Sequence, residues 1–241
     1  MNNEQAQRVI RIYDATRIIL LILLFLFICV GLLRAETSND FGLWTSANFD
    51  KSLGKRWNIG AGLEVRTKDL SQHIDRCQII VDGGCKLSKV FKLDLTYELH
   101  FKRRLVGDNP EYVLRHRAML DLIAGGKVAD WAKLSLRERY QYTYLMPKSG
   151  IAASHSHHLR SRFKIEMAHD PIKWSPFASI ETFINFKESF RVDEMRLAAG
   201  TAYHITKHHS ISVGYLCDMK WEALTDLKAT HIITTGYTYK F

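Results

Sequence analysis

The chain has 241 residues, of which 46% are hydrophobic and 24% charged, with 4 prolines; this excludes a disordered or collagen-like polymer. The absence of a long apolar run beyond Leu33 excludes a polytopic helical membrane protein. A formal charge of +9 favours an anionic partner or surface without naming one.

The first element is an address. Ile18 to Leu33 is an uncharged run of 16 residues that follows Arg8, Arg11 and Arg17 and ends at Leu33-Arg34-Ala35. A positive flank, an apolar core and a small residue predict a secretory signal peptide over 1–35, cleaved after Ala35. The run falls short of the ~20 residues that span a bilayer as a helix. The remainder, 36–241, keeps Cys77, Cys85 and Cys217. An odd number without framework spacing argues against a disulfide scaffold.

Beyond the leader the sequence alternates with period two. Trp57, Ile59, Ala61, Leu63 and Val65 oppose Asn58, Gly60, Gly62, Glu64 and Arg66. Successive strand side chains point to opposite faces, so this is a strand with one apolar and one polar face. The pattern recurs in eleven segments, near 41–50, 57–68, 76–87, 91–102, 112–125, 131–144, 158–168, 174–186, 193–205, 210–221 and 229–241. Connections alternate between short and longer, and no Gly/Ser-rich linker divides the chain, so one domain is expected.

Three features predict that the apolar face points outward. About eight strands already give a barrel interior that side chains just fill, and a wider barrel has no use for a lining of Ala, Leu and Val. Trp57, Phe91, Trp131 and Trp174 open strands after short turns, and Phe241 ends the last strand at the same edge. Tyr112, Tyr142, Tyr144, Phe186, Phe190 and Trp221 sit at the opposite edge. Two aromatic belts around an apolar band mark the membrane interfaces of a barrel. An open sheet of this size also exposes unpaired edges, which closure abolishes. The expectation is an all-β, antiparallel transmembrane β-barrel of 10–12 strands in the outer membrane of a Gram-negative bacterium. Such barrels usually have an even strand count. Eleven segments leave two possibilities: a missed strand, or residues 36–50 passing through or beside the barrel.

Several stretches carry a family resemblance: Phe41-Gly42-Leu43-Trp44, Leu114-Arg115-His116-Arg117, Ser135 to Thr143, Leu159-Arg160-Ser161-Arg162 and the final Gly236 to Phe241. In order and spacing the chain resembles an uncharacterised outer-membrane β-barrel family of Bacteroidota, the domain of unknown function 2490. The resemblance implies a barrel and an outer-membrane location, and brings no activity, cofactor or catalytic residue. Tyr237, Tyr239 and Phe241 also resemble the aromatic last-strand signal read by the barrel-assembly machinery.

The polar register is rich in cations. Its centre is expected at Arg115, Arg117, Arg137, Arg139, Arg160 and Arg162; a tight turn at 126–130 sets Arg115 beside Arg139 and Arg117 beside Arg137. Rings of Arg and Lys select anions, so one reading is a narrow pore or binding cup for anionic solutes. The structural alternative is a bore braced by Arg–carboxylate ladders, with Glu98, Asp121, Glu166, Glu181 and Glu194 as partners, since a desolvated guanidinium without one is costly. The same turn brings His116 and Glu138 together in the apolar register, with Ser161 one strand further. That suggests a second class of function, an enzyme modifying lipid or lipopolysaccharide. Its order is poor, because a triad needs the His between the other two. His155, His157 and His158 read as a polar outer loop. No nucleotide, metal or cofactor motif is present, and nucleic acid is not an expected partner of an exported chain. Outer-membrane lipid is. The leading expectation is therefore a non-enzymatic barrel.

Overall fold

The computed structural model describes residues 38–106, 109–167, 173–186, 190–221 and 227–241; the expected signal peptide over 1–35 lies outside them. All eleven alternating segments are strands: β1 (Ser38–Leu53), β2 (Trp57–Lys68), β3 (His73–Lys86), β4 (Phe91–Val106), β5 (Asn109–Ala129), β6 (Ala132–Leu145), β7 (Ser154–Met167), β8 (Trp174–Asn185), β9 (Arg191–His204), β10 (His209–Trp221) and β11 (Leu227–Lys240). The described residues contain no helix.

Each strand pairs antiparallel with its chain neighbours, and the sheet closes through β1 and β11. Strands that reverse direction at every connection leave the first and last of an odd set running the same way. The closing seam is accordingly parallel, from Ser38↔Lys228 to Asp50↔Lys240. This settles the odd count. Among the described residues eleven strands close the barrel, and residues 38–53 lie neither within nor beside it but in its wall, between β2 and β11. Both β1 and β11 start at the edge that carries the longest connection, 146–153 (the loop side), and end at the opposite edge (the turn side). The expected alternation of connection lengths is not kept throughout, because β4 and β5 run on until two residues, 107–108, join them, while 168–173 on the turn side is six residues long.

The two faces divide as the alternation predicts. Leu63 is 55% exposed and Leu95 61% on the outer wall, whereas His100 is 0% and Asp121 3% exposed in the bore. An eleven-stranded barrel is roughly a third wider than an eight-stranded one, and long charged side chains fill that width. At the turn edge Trp57, Phe91 and Trp174 open β2, β4 and β8, all well exposed, while Trp131 sits in the turn before β6. The Phe241 amide donates to the Asp50 carbonyl at 2.9 Å, which carries the seam one residue past β11. Cys77 and Cys85 are half-buried free thiols, and Cys217 is buried.

Local irregularities adjust the wall. A register shift between Arg66 and Thr67 opposite β3 leaves Asp75 as an extra residue, buried against Lys102 and Arg76. Strict alternation assigns Asp75 outward, so the bulge adds a carboxylate to the bore that parity does not reveal. Gly200 and Gly214 face each other across β9 and β10, and a Cβ on Gly200 would lie 2.6 Å from the Val213 carbonyl oxygen. Only glycine permits that approach.

The loop between β2 and β3 is strained. Asp69, Leu70 and Ser71 all adopt left-handed backbone, with φ of 55°, 55° and 64°, a conformation that costs an L-residue about 1–2 kcal/mol. Asp40 at the head of β1 holds it: its carboxylate accepts from the amides of Asp69 (3.2 Å) and Leu70 (3.0 Å). Leu70 is 66% exposed and contributes little packing in return. Leu70→Gly is therefore expected to stabilise the barrel by about 1 kcal/mol, read as a higher urea midpoint with unchanged slope.

Candidate functional site

The bore is crossed at mid-height by an ion-pair network. Glu181 on β8 accepts from Arg137 on β6 and from Arg160 on β7, the latter at 3.0 and 3.1 Å. Arg139 grips Asp121 with two nitrogens, each at 2.6 Å, the forked geometry that favours Arg over Lys. Arg196 on β9 donates to Asp218 at 3.3 Å and forms an ion pair with Glu194 at 2.6 Å. Arg160 also donates to Gln141 at 2.8 Å. Two aromatic plates lie among these charges. Arg160 and Arg196 cover Phe183 at 4.2 and 4.7 Å, and Arg66 and Arg196 flank Trp44 at 3.6 and 5.3 Å. Cation–π contact gains strength where water is scarce.

Among the described residues, one cavity lies on each side of this septum. The loop-side cavity, about 200 Å³, is lined by Arg66, Arg76, Lys102, Arg115, Arg117, Arg160, Arg196 and Lys220, with Glu194 the one carboxylate. The half-exposed Lys220 side chain connects it to solvent. The turn-side cavity, about 300 Å³, is lined by Arg137, Arg139, Arg160, Arg162 and Arg196 with Glu181, and by apolar groups that include Phe177 and Leu216. Arg160 and Arg196 line both cavities and form the partition.

The loop-side wall is built from three strands. Arg66, Arg76 and Lys102 are direct partners across β2, β3 and β4. One row nearer the septum, His100 faces Arg115. Arg115 donates to His100 Nδ1 at 2.8 Å, His100 Nε2 meets Glu98 at 2.8 Å, and Arg117 donates to the same Glu98 oxygen at 3.0 Å. A guanidinium can only donate, so Nδ1 accepts and the His100 proton sits on Nε2, facing Glu98.

All six expected arginines point into the bore, but in a different arrangement. Arg137 pairs with Arg162 and Arg139 with Arg160 across β6 and β7. Arg115 and Arg117 face Leu145 and Thr143 instead of Arg139 and Arg137. The cause is the turn. β5 runs on to Ala129 and the chain reverses at Asp130-Trp131, past the centre expected from 126–130. The slip also separates the weak catalytic set. His116 faces Tyr144, and Glu138 faces Leu122 six positions along β6, a distance of roughly 20 Å. Ser161 does bond Glu138, at 2.6 Å, but His116 bonds Tyr97 at 2.6 Å and lies against Met146. His155, His157 and His158 belong to β7 and not to a loop. His157 faces outward to Tyr140 at 2.6 Å, and His158 faces inward to Asp193 at 3.5 Å. No cluster of metal-ligating side chains occurs among the described residues.

Each of the five expected bracing carboxylates has a cationic partner: Glu98 with Arg117, Asp121 with Arg139, Glu166 with Lys164, Glu181 with Arg137 and Arg160, and Glu194 with Arg196. Sequence reasoning missed Asp75 and the seating of Trp44. It also missed four outward Tyr–His bonds: Tyr97–His116, Tyr140–His157, Tyr215–His231 and Tyr237–His209. Each joins residues diagonal across a strand pair, so register had to be known to find them. Removing Glu181 strands two buried guanidiniums. Glu181→Ala is expected to cost about 3–5 kcal/mol, measured by urea unfolding in detergent.

No curated protein and no solved structure matches the chain. A family model described as a protein of unknown function (DUF2490) matches residues 41–226. A closed barrel with an ion-paired bore is thus the form taken here by that sequence pattern, and the chain belongs to the DUF2490 family.

Proposed function

We propose that this chain is a non-enzymatic outer-membrane β-barrel whose bore carries, on the loop side of the septum, a basic cup for anionic solutes. One observation carries the membrane part: large apolar side chains are exposed on the outer face of β1 to β10 while the ion pairs are buried inside the wall. In water that partition is unfavourable on the outside, whereas in hydrocarbon it is the favourable one. A closed ladder leaves no strand edge to lipid, and strands of 12 residues or more are long enough to cross at a tilt. In this reading the edge with the longest connection, 146–153, faces the exterior, and Phe241 stands at the inner edge, where the assembly machinery would meet it.

The cup follows from charge. Eight cations and Glu194 line the loop-side cavity, and on its β2–β5 wall Glu64, Asp75 and Glu98 leave an excess of cations among Arg66, Arg76, Lys102, Arg115 and Arg117; anions are drawn to such a surface. Arg160 and Arg196 close its floor, which favours binding over free conduction.

The barrel is expected to fractionate with outer membranes, to show a heat-modifiable band on gels, and to give no sustained ionic current in planar bilayers. Recovery in the aqueous fraction without detergent overturns the membrane reading; a steady anion-biased current replaces the cup with a pore. Ser161→Ala is expected to leave lipid A and phospholipid profiles unchanged. A shift in those profiles would instead make the outward Glu138–Ser161 pair part of an enzyme.

A further inference from the structure

We propose that the loop-side cavity seats a phosphate dianion, free or as a phosphomonoester, against Arg76, Lys102, Arg115 and Arg117. The inference rests on the anion cup proposed above and names its ligand class.

The first argument is a cost built into the wall. Arg66, Arg76 and Lys102 stand directly opposite one another across three strands, and like charges so placed repel. The carboxylates at hand are Glu64 on Arg66, Asp75 on Arg76 and Lys102, and Glu98 on Arg117. Five cations, counting Arg115, therefore meet three anions, an excess of two. A phosphate dianion matches that excess, whereas a carboxylate leaves half of it.

The second argument is Arg115. Among the described residues its hydrogen-bond partner is His100, held as a neutral acceptor, and no carboxylate pairs with it. Its Nε is buried without a partner, as is the Nε of Arg117 two residues along the same face of β5. A buried guanidinium with donors to spare is costly unless an anion completes it. The side chains of Arg115 and Arg117 and those of Arg76 and Lys102 converge from three adjacent strands on one cavity. Convergence from several directions suits a tetrahedral oxyanion, which accepts on every side and takes forked bonds from Arg.

The test uses the purified barrel in detergent micelles, titrated calorimetrically at constant ionic strength with inorganic phosphate, glycerol 3-phosphate and acetate. One saturable phosphate site, at least tenfold tighter than acetate, is expected. Tighter glycerol 3-phosphate assigns an esterified source and tighter inorganic phosphate a free one; both support the seat. Arg115→Ala is expected to weaken phosphate binding at least tenfold, and Arg162→Ala, in the turn-side cavity, to leave it unchanged. If Arg115→Ala loses the heat-modifiable band, Arg76→Gln takes its place with the same expected loss. Equal affinity for acetate and phosphate, or unchanged phosphate binding in the folded variant, overturns the phosphate seat and leaves the anion cup standing. Saturable binding of none of the three removes both.

Discussion

The structure depends on a hydrogen-bonded wall with no free edge. A sheet whose outer face is apolar and whose inner face is charged has no partner layer to bury either side against, so it is stable only when closed on itself. With eleven strands, closure needs one parallel pair, and β1 supplies it along β11 from Ser38↔Lys228 to Asp50↔Lys240. Parallel pairing is slightly weaker per residue. This seam carries reinforcement from side chains: Thr45 bonds Thr235 at 3.0 Å outside, and Trp44 sits between Arg66 and Arg196 inside. β1 also clamps the strained loop beyond β2 through Asp40. One strand thus closes the wall, furnishes an aromatic plate to the septum and orders a loop.

Once the wall is closed, the bore must accommodate charges in a confined, poorly hydrated space. The middle solves this by near-balance, with Glu181 shared by two arginines and Asp121 held by a forked third. Removing water strengthens such bonds and makes each unpartnered group expensive. Against that background the loop-side wall stands apart, since Arg66, Arg76, Lys102, Arg115 and Arg117 meet three carboxylates, Glu64, Asp75 and Glu98. Imbalance of this kind is a poor way to brace a wall and a good way to hold an anion. The outer wall carries a milder exception, with Glu138, Ser161 and the Tyr–His pairs among apolar neighbours. Each of these polar groups is hydrogen-bonded, which lowers the cost of their position.

The strands were legible because their side chains keep a period of two over ten or more residues, and every expected segment is a strand. The direction of the faces was legible from width and from aromatics at strand ends. The inward orientation of Arg115, Arg117, Arg137, Arg139, Arg160 and Arg162 followed from parity alone. Their neighbours did not follow, because an antiparallel register is fixed by where the chain turns. β5 carries its ladder through Gly126 and Lys127 before reversing, and those residues read as part of the turn in the sequence.

By itself, then, the sequence determined a closed β wall, its apolar exterior and the basic sign of its bore, since parity and composition are local properties of the chain. Tertiary structure alone decided the parallel seam, the bulge that turns Asp75 inward, the seat of Trp44, and which arginines share a carboxylate. Those features depend on register and on the meeting of strands far apart in sequence. Neither is encoded in alternation, which looks the same whichever residue stands opposite.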